Sequence, residues 1–222
     1  MAIDIHAHHI PSSVMQRVRQ DGSGCGVEIA EWGAEGPQLR LGQGTAPGRP
    51  IIKELLDLED RENKLKEQNL RHQVLSTWLD IVGYNLPVEQ GCRWSRLLNR
   101  CMAEELKQQK PERRFTGIAT VPLQSGERAA EELEFAVQEC GLPGVTIGTH
   151  VNGKNLDDPL LRPFWRMAEK LKTPIIIHPF FPLGVERLGS YFLTHIVGLT
   201  AETTLAAASL YCRGGIGQLP AL

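Results

Sequence analysis

The sequence predicts an α/β fold of the (β/α)8 TIM-barrel type, in which a ring of parallel strands is surrounded by helices. Short apolar strands alternate five times with segments of helical periodicity, a pattern typical of a parallel sheet. Candidate functional histidines lie where the first and fifth strands end, the edge at which barrel enzymes have their active sites. Five units also fit an open doubly wound sheet, but no Gly-x-Gly-x-x-Gly motif follows the first strand, so the barrel is favoured.

The composition fits a single domain over residues 1–222. Hydrophobic residues make up 41% of the chain, enough to bury a core. The net charge of -2, with both signs mixed, gives no indication of a nucleic-acid or membrane partner. No apolar run is long enough to span a membrane, and the N-terminus lacks a signal-peptide pattern. The five scattered cysteines are typical of reduced thiols, so we expect a cytoplasmic protein.

The first strand is predicted over Ala2–His8 and contains a His-x-His pair. Because side chains alternate along a strand, His6 and His8 point to the same side. Two imidazoles on one face are half of a divalent-metal site, and neutral imidazole suits zinc. A cloning remnant or an exposed strand end is the alternative for such a pair alone. His9 points the other way, and we do not expect it to be a ligand.

A Gly-rich, polar segment over residues 21–50 follows the first strand and a short helix. Alternating pieces at 27–32 and 38–41 predict a small hairpin or lid, inserted over the mouth of the barrel. Arg49, near the end of this insertion, is a candidate for binding an anion. A solvated arginine is the commoner explanation for any single one.

The remaining helices and strands are predicted from hydrophobic periodicity, with proline, glycine and helix-capping residues marking their ends. Residues at helical spacing predict helices over 12–20, 57–69, 89–109, 126–140, 157–171 and 200–211. Short apolar runs predict further strands over 73–77, 116–120, 144–148 and 175–178. Glu131 and Glu132 are expected on an outer helix face, and the helix over 200–211, apolar nearly all round, is expected to be buried.

The strand over 175–178 ends on His178, which supplies the third candidate metal ligand. In a closed barrel the first and fifth strands lie across the lumen from each other, so a metal at the mouth could bridge them. A catalytic zinc typically takes three protein ligands and keeps one position open. A core histidine before Pro179 is the alternative for His178. His150 is expected to line the substrate pocket or to be a loop histidine, and Trp78 is a further candidate substrate contact.

Two more histidines, His72 and His195, are interpreted as ordinary surface or helix residues.

Four segments together resemble the decarboxylase branch of the amidohydrolase superfamily, close to the aminocarboxymuconate-semialdehyde decarboxylases: Asp4–His8, Gly144–Asn152, Ile177–Pro179 and Glu202–Ala206. The resemblance implies a distorted eight-stranded barrel with one divalent metal, usually zinc, held by His6, His8 and His178. It also implies that Arg49 binds the substrate carboxylate and that Phe180 supplies an aromatic contact.

Members of this family continue for three further strands, which bring a catalytic histidine and a metal-binding aspartate. The resemblance therefore implies that the present chain is an incomplete, C-terminally truncated barrel of about five βα units. The first and fifth strands would be free edges, and the catalytic base and fourth ligand are expected beyond Leu222.

The resemblance implies a metal-dependent, non-oxidative decarboxylase, a carboxy-lyase acting on a small unsaturated or aromatic carboxylic acid. One alternative is a metal-dependent hydrolase of an amide, ester or lactone, which would use the same visible residues. Another is a catalytically inactive, truncated relative that still binds metal. A homodimer is one expected assembly.

Overall fold

The structure is a computed structural model that describes residues 2–109 and 114–212. Its strands are β1 (Ala2–His9), β2 (Val27–Gly33), β3 (Gly36–Leu41), β4 (Leu70–Thr77), β5 (Phe115–Gly117), β6 (Val145–Gly148), β7 (His150–Val151), β8 (Lys154–Asn155) and β9 (Ile175–His178). Its α-helices are α1 (Ser13–Asp21), α2 (Leu58–Glu67), α3 (Val88–Lys107), α4 (Gly126–Gln138), α5 (Arg162–Leu171) and α6 (Leu199–Cys212).

Five parallel strands follow one another in chain order, as expected for consecutive βα units. β1 pairs with β4, and β4 pairs with β5. A parallel bridge between Ala119 and Val145 joins the extension of β5 to β6, and β6 pairs with β9. The order β1-β4-β5-β6-β9 places the carboxyl ends of all five strands at the same edge. The predicted alternation of strands and helices is therefore present.

Helix caps set several of the boundaries that the sequence indicates. Asp57 precedes α2 and accepts a hydrogen bond from the Asp60 amide, and Ser125 accepts one from the Arg128 amide at the start of α4. The helix predicted over 157–171 begins as a 3-10 turn over Pro159–Leu161 before α5. The predicted third strand is shorter than expected, because regular pairing of β5 ends at Gly117 and only the bridge at Ala119 continues it.

The core has two hydrophobic clusters. The larger lies between the parallel strands and α3–α6 and includes Leu75, Val145 and Phe164. The smaller joins the β2–β3 hairpin to α1 and α3, through residues such as Val27 and Trp94. The hairpin of the insertion is thus anchored on α1 and α3, and its function as a lid remains a prediction.

Two expectations about helix faces are wrong. The Glu132 carboxylate is only 4% exposed, because Asn99 and Arg96 of α3 reach across and bind it. Helix α6 is buried only on the side of Glu202, Ala206 and Leu210. Its other side leaves Tyr211 75% exposed, because no described element covers that face.

Large apolar side chains are exposed at the two ends of the strand run. Ile3 and Ile5 of β1 are 59% and 64% exposed. Phe181 and Phe192, which follow β9, are also exposed. Within the described residues, β1 pairs only with β4 and β9 only with β6. No helix in the described ranges is both long and apolar enough to cross a membrane.

Candidate metal centre

Three histidine rings meet at the carboxyl ends of β1 and β9. The ring centroids of His6 and His8 are 5.2 Å apart, and that of His178 lies 4.8 Å from each of them. One candidate ligand atom from each residue lies within 4.8 Å of the others. The structure thus brings together the three residues that the sequence predicts as metal ligands, from positions 170 residues apart.

A bulge in β1 shapes the first half of this triad. Asp4 pairs with Gln73 and Ala7 pairs with Leu75, so three steps along β1 match only two along β4. The Asp4 carboxylate accepts hydrogen bonds from the His6 amide at 2.9 Å and from the Gln73 side chain at 2.7 Å. The bulge therefore has its own hydrogen-bonded support directly before His6.

Both rings have a hydrogen-bond partner on the side away from the other histidines. His178 Nδ1 lies 2.7 Å from the Pro179 carbonyl, which can only accept, so this nitrogen carries the proton and Nε2 presents a lone pair. The Ser76 hydroxyl oxygen lies 3.2 Å from His8 Nδ1 and 3.3 Å from the Ala7 carbonyl oxygen.

The Nε2 atoms of His8 and His178 lie 3.1 Å apart. When His8 carries its proton on Nδ1, both Nε2 atoms have lone pairs that one cation can bind. Burial, followed by the nearby His178 and His6, lowers the pKa of His8 to about 4. Burial also lowers the pKa of His178. Neutral imidazole is the form that binds a metal, so the donor set fits a divalent cation.

Arg49 lies at the rim of the centre and is already paired. Its Nε and Nη2 atoms donate to the two carboxylate oxygens of Asp80 at 2.7 and 2.9 Å. Its guanidinium carbon lies 4.9 Å from the centroid of the Trp78 ring. The hydrogen bond to Asp80 raises the pKa of Arg49 above its ordinary value. Two predicted substrate contacts, Arg49 and Trp78, are therefore in contact with each other.

An aromatic cluster surrounds Phe180, two residues after His178. The Phe180 ring is 5.4 Å from Tyr84 and 5.9 Å from His150, measured between centroids. The Thr149 hydroxyl oxygen accepts from the Phe180 amide at 3.2 Å, which fixes the backbone after β9. A Cβ atom at Gly148 would lie 3.0 Å from the Phe180 side chain, so glycine allows the ring to approach. His150 and Phe180 are thus adjacent, and the substrate contact expected of each stays a prediction.

Several residues of the centre were not predicted from the sequence. Ser76 lies behind His8, Asp80 binds Arg49, and the Tyr84 hydroxyl accepts from the Gly148 amide at 3.1 Å. All three lie in or after β4, at the edge where a barrel site is expected, and that position is the signal that could have singled them out.

The other histidines lie away from the triad contacts. His9 is fully buried and binds Glu105 of α3 at 2.6 Å, and its exclusion from the metal ligands stays a prediction. His72 lies on β4, not on a helix, and contacts the Thr116 hydroxyl at 2.8 Å. His195 stacks on Phe192 with 4.0 Å between ring centroids.

Among proteins of known activity, a 2-amino-3-carboxymuconate-6-semialdehyde decarboxylase from Dictyostelium discoideum is 32% identical over 222 residues. That alignment covers 100% of this chain and 61% of the relative.

Two solved structures share the fold over the whole chain. The 5-carboxyvanillate decarboxylase of Sphingomonas paucimobilis has a TM-score of 0.77 at 23% identity, covering 100% of this chain and 65% of that one. A dihydroxybenzoic acid decarboxylase of Polaromonas sp., with bound manganese and the inhibitor 2-nitroresorcinol, has a TM-score of 0.73 at 22% identity and covers 100% and 63%. The barrel-type fold predicted from the sequence is therefore confirmed.

The match to a protein family agrees with the similarity to these solved structures. The chain spans between 61% and 65% of the length of these three proteins. The amidohydrolase family matches residues 87–222, which include β5, β6 and the His178 strand. Because this match extends over more than half of the chain, the resemblance noted in the sequence is confirmed at the level of the family: the chain belongs to the amidohydrolases.

Proposed function

We propose that this chain carries the metal-binding portion of a metal-dependent, non-oxidative decarboxylase that acts on a small aromatic or unsaturated carboxylic acid. The observation that supports it most is the contact of His8 and His178, whose Nε2 atoms lie 3.1 Å apart beside His6. The relative that aligns over the whole chain is a decarboxylase, which favours decarboxylation over hydrolysis.

We propose one divalent cation, zinc, held by His6, His8 and His178. Three imidazole nitrogens with an open fourth position are a typical catalytic zinc site. Manganese is the alternative, because it is present in the similar dihydroxybenzoic acid decarboxylase. When bound, the cation supplies positive charge that draws electron density from the substrate and stabilises developing negative charge.

The residues of the chain would orient the acid for loss of carbon dioxide. Arg49 would bind the carboxylate with its planar donors, and Trp78 would support the guanidinium from one side. Phe180 and His150 would pack against the ring or conjugated chain of the substrate. The carbon–carbon bond to the carboxylate breaks, its electron pair passes into the conjugated system, and a proton then replaces carbon dioxide on that carbon.

A second candidate function is metal binding without turnover. It is favoured by the composition of the centre: the described residues that could hold a metal together are the three histidines alone. A decarboxylase needs in addition a group that delivers the proton, and we assign that role to none of the described residues.

The experiment that separates these functions uses the full chain loaded with zinc or manganese. We expect release of carbon dioxide from 2,6-dihydroxybenzoate, which a similar decarboxylase binds in its solved structure, and no release by His178→Ala. Stoichiometric metal without carbon dioxide would support the metal-binding relative. Cleavage of an amide, ester or lactone without gas would support a hydrolase and contradict the proposal.

We also propose that the protein is cytoplasmic and forms a homodimer. All five cysteines are free, which is usual in a reducing compartment. Exposed apolar residues after β9, including Phe181 and Tyr191, offer surface for self-association. Light scattering on the purified chain tests the dimer, and a monomer at micromolar concentration would contradict it.

A further inference from the structure

The contact between Arg49 and Asp80 joins the insertion to the rim of the metal centre. Arg49 follows the β2–β3 hairpin, and Asp80 lies in the 3-10 turn over Leu79–Ile81, directly after β4. Both carboxylate oxygens of Asp80 are used, one by Nε and one by Nη2 of Arg49. Trp78, two residues before Asp80, lies under the guanidinium. Two separate contacts therefore define one orientation of the Arg49 side chain.

An ordinary surface ion pair would not explain this arrangement. The Arg49 side chain is 68% exposed, and exposed pairs usually contribute little to stability. The pair also lies near the carboxyl end of β1, because Asp80 comes three residues after Thr77, which pairs with His9, and Ser76 pairs with His8. The Arg49–Asp80 pair is bidentate and stacked on Trp78, but it contributes little to stability. Its place at the rim of the candidate site indicates a role in binding.

Asp80 leaves part of the guanidinium available. Arginine has five N–H donors, and Asp80 takes the one on Nε and one on Nη2. Within the described residues, Nη1 and the second Nη2 hydrogen make no further hydrogen bond. The Nη1–Nη2 edge therefore presents two parallel donors, which match the two oxygens of a carboxylate.

We propose that Asp80 is a positioning residue, which holds the Arg49 guanidinium on Trp78 so that its Nη1–Nη2 edge is ready for the substrate carboxylate. The proposal rests on the proposed function, because it takes Arg49 as the carboxylate-binding residue. A long, exposed side chain that is already ordered loses less entropy when the ligand binds. The alternative is that Asp80 competes with the substrate for Arg49. Removing the charge of Asp80 would then strengthen the binding of the substrate.

The first test measures the order of Arg49 without any ligand. The ¹H–¹⁵N signal of Arg49 Nε, assigned with Arg49→Gln, is recorded in the full chain and in Asp80→Asn. We expect a well-resolved, slowly exchanging proton in the wild type and a faster exchange, by about 10-fold or more, in Asp80→Asn. Glu134→Gln removes a comparable carboxylate from the Lys170 pair between α4 and α5 and should leave the signal unchanged. An unchanged signal in Asp80→Asn would overturn the proposal.

The second test measures the affinity of the manganese-loaded full chain for 2,6-dihydroxybenzoate by calorimetry. We expect about 3- to 10-fold weaker binding by Asp80→Asn, and part of the affinity to return in Asp80→Glu. If Asp80 acts through Arg49, the double variant with Arg49→Gln binds no more weakly than Arg49→Gln alone. Equal or tighter binding by Asp80→Asn would overturn the inference, as would additive losses in the double variant.

The two tests separate this inference from the proposed function. If the wild type binds manganese but not 2,6-dihydroxybenzoate, 5-carboxyvanillate or an aminocarboxymuconate analogue, the proposed function fails and the substrate part of the inference fails with it. A loosened Arg49 signal in Asp80→Asn would then still show that Asp80 orders Arg49. If the wild type binds the acid and Asp80→Asn binds it equally well, only the positioning role fails.

Discussion

The Nε2 atoms of His8 and His178 lie 3.1 Å apart, although one residue is on the first strand of the chain and the other on the last strand of the parallel run. The two rings are held from behind by different partners, Ser76 for His8 and the Pro179 carbonyl for His178. The centre is therefore oriented by the protein itself, before any cation is bound.

Replacing His178 by alanine should abolish stoichiometric metal binding, because two ligands from a single strand cannot define a tetrahedral site. We expect the purified wild type to hold one divalent ion per chain by elemental analysis and His178→Ala to hold well below one. His195→Ala, which changes an exposed histidine stacked on Phe192, is the matched control and should keep the metal. Equal metal content in all three proteins would contradict the assignment.

Ser76→Ala should weaken metal binding without unfolding the protein. The Ser76 hydroxyl is the hydrogen-bond partner of His8 Nδ1, and loss of such an outer partner typically costs about 10- to 100-fold in metal affinity. Competition with a chromophoric chelator measures the change. Ser95→Ala is the control, because the buried Ser95 hydroxyl has no hydrogen-bond partner in the described part of the chain. Unchanged affinity in Ser76→Ala would mean that His8 is oriented by packing alone.

The metal-free protein should lose stability as the pH falls from about 6.5 towards 4. The pKa of His8 is lowered from 6.5 to about 4, so in this window the unfolded chain binds a proton that the folded chain excludes. The difference amounts to at most about 3 kcal/mol. Urea unfolding at pH 7 and pH 4.5 measures it, and His8→Asn should show a smaller loss. A pH dependence that is the same in both proteins would contradict this assignment.

Tyr84→Phe should destabilise the protein by about 1–2 kcal/mol, because it leaves the buried Gly148 amide without its acceptor. Gly148 pairs with His178 across β6 and β9, so metal affinity should fall as well. Chemical unfolding measures the first effect and chelator competition the second. Tyr191→Phe removes the same atom from a side chain that is 89% exposed and should be neutral within about 0.5 kcal/mol.

The fold and the three histidines could be predicted because local sequence patterns indicate both. Alternation along a strand places His6 and His8 together, and a triple-isoleucine strand that ends on His178 marks a second one. The bulge before His6 could not be predicted, since it depends on how β1 and β4 align.

The hydrogen-bond partners around the centre could not be predicted, for a different reason. Asp80 binds Arg49, which is 31 residues away in the sequence, and Tyr84 binds Gly148, which is 64 residues away. Hydrophobic periodicity carries no information about such distant pairs. Glu132 shows the same limit within a helix. Spacing places it on the polar face of α4, but the polar face of one helix can be covered by another, and here Asn99 and Arg96 of α3 do so.

The position of the triad at the two ends of the strand run has a consequence for folding. A cation bound by β1 and β9 would act as a cross-link that closes a loop of some 170 residues. By loop-closure arguments, a tether of that length restricts the unfolded chain by about 5 kcal/mol, at the upper end of what a single cross-link achieves. Chelation would then remove more than a cofactor: it would release the outermost strands from each other and lower the cooperativity with which the whole sheet unfolds.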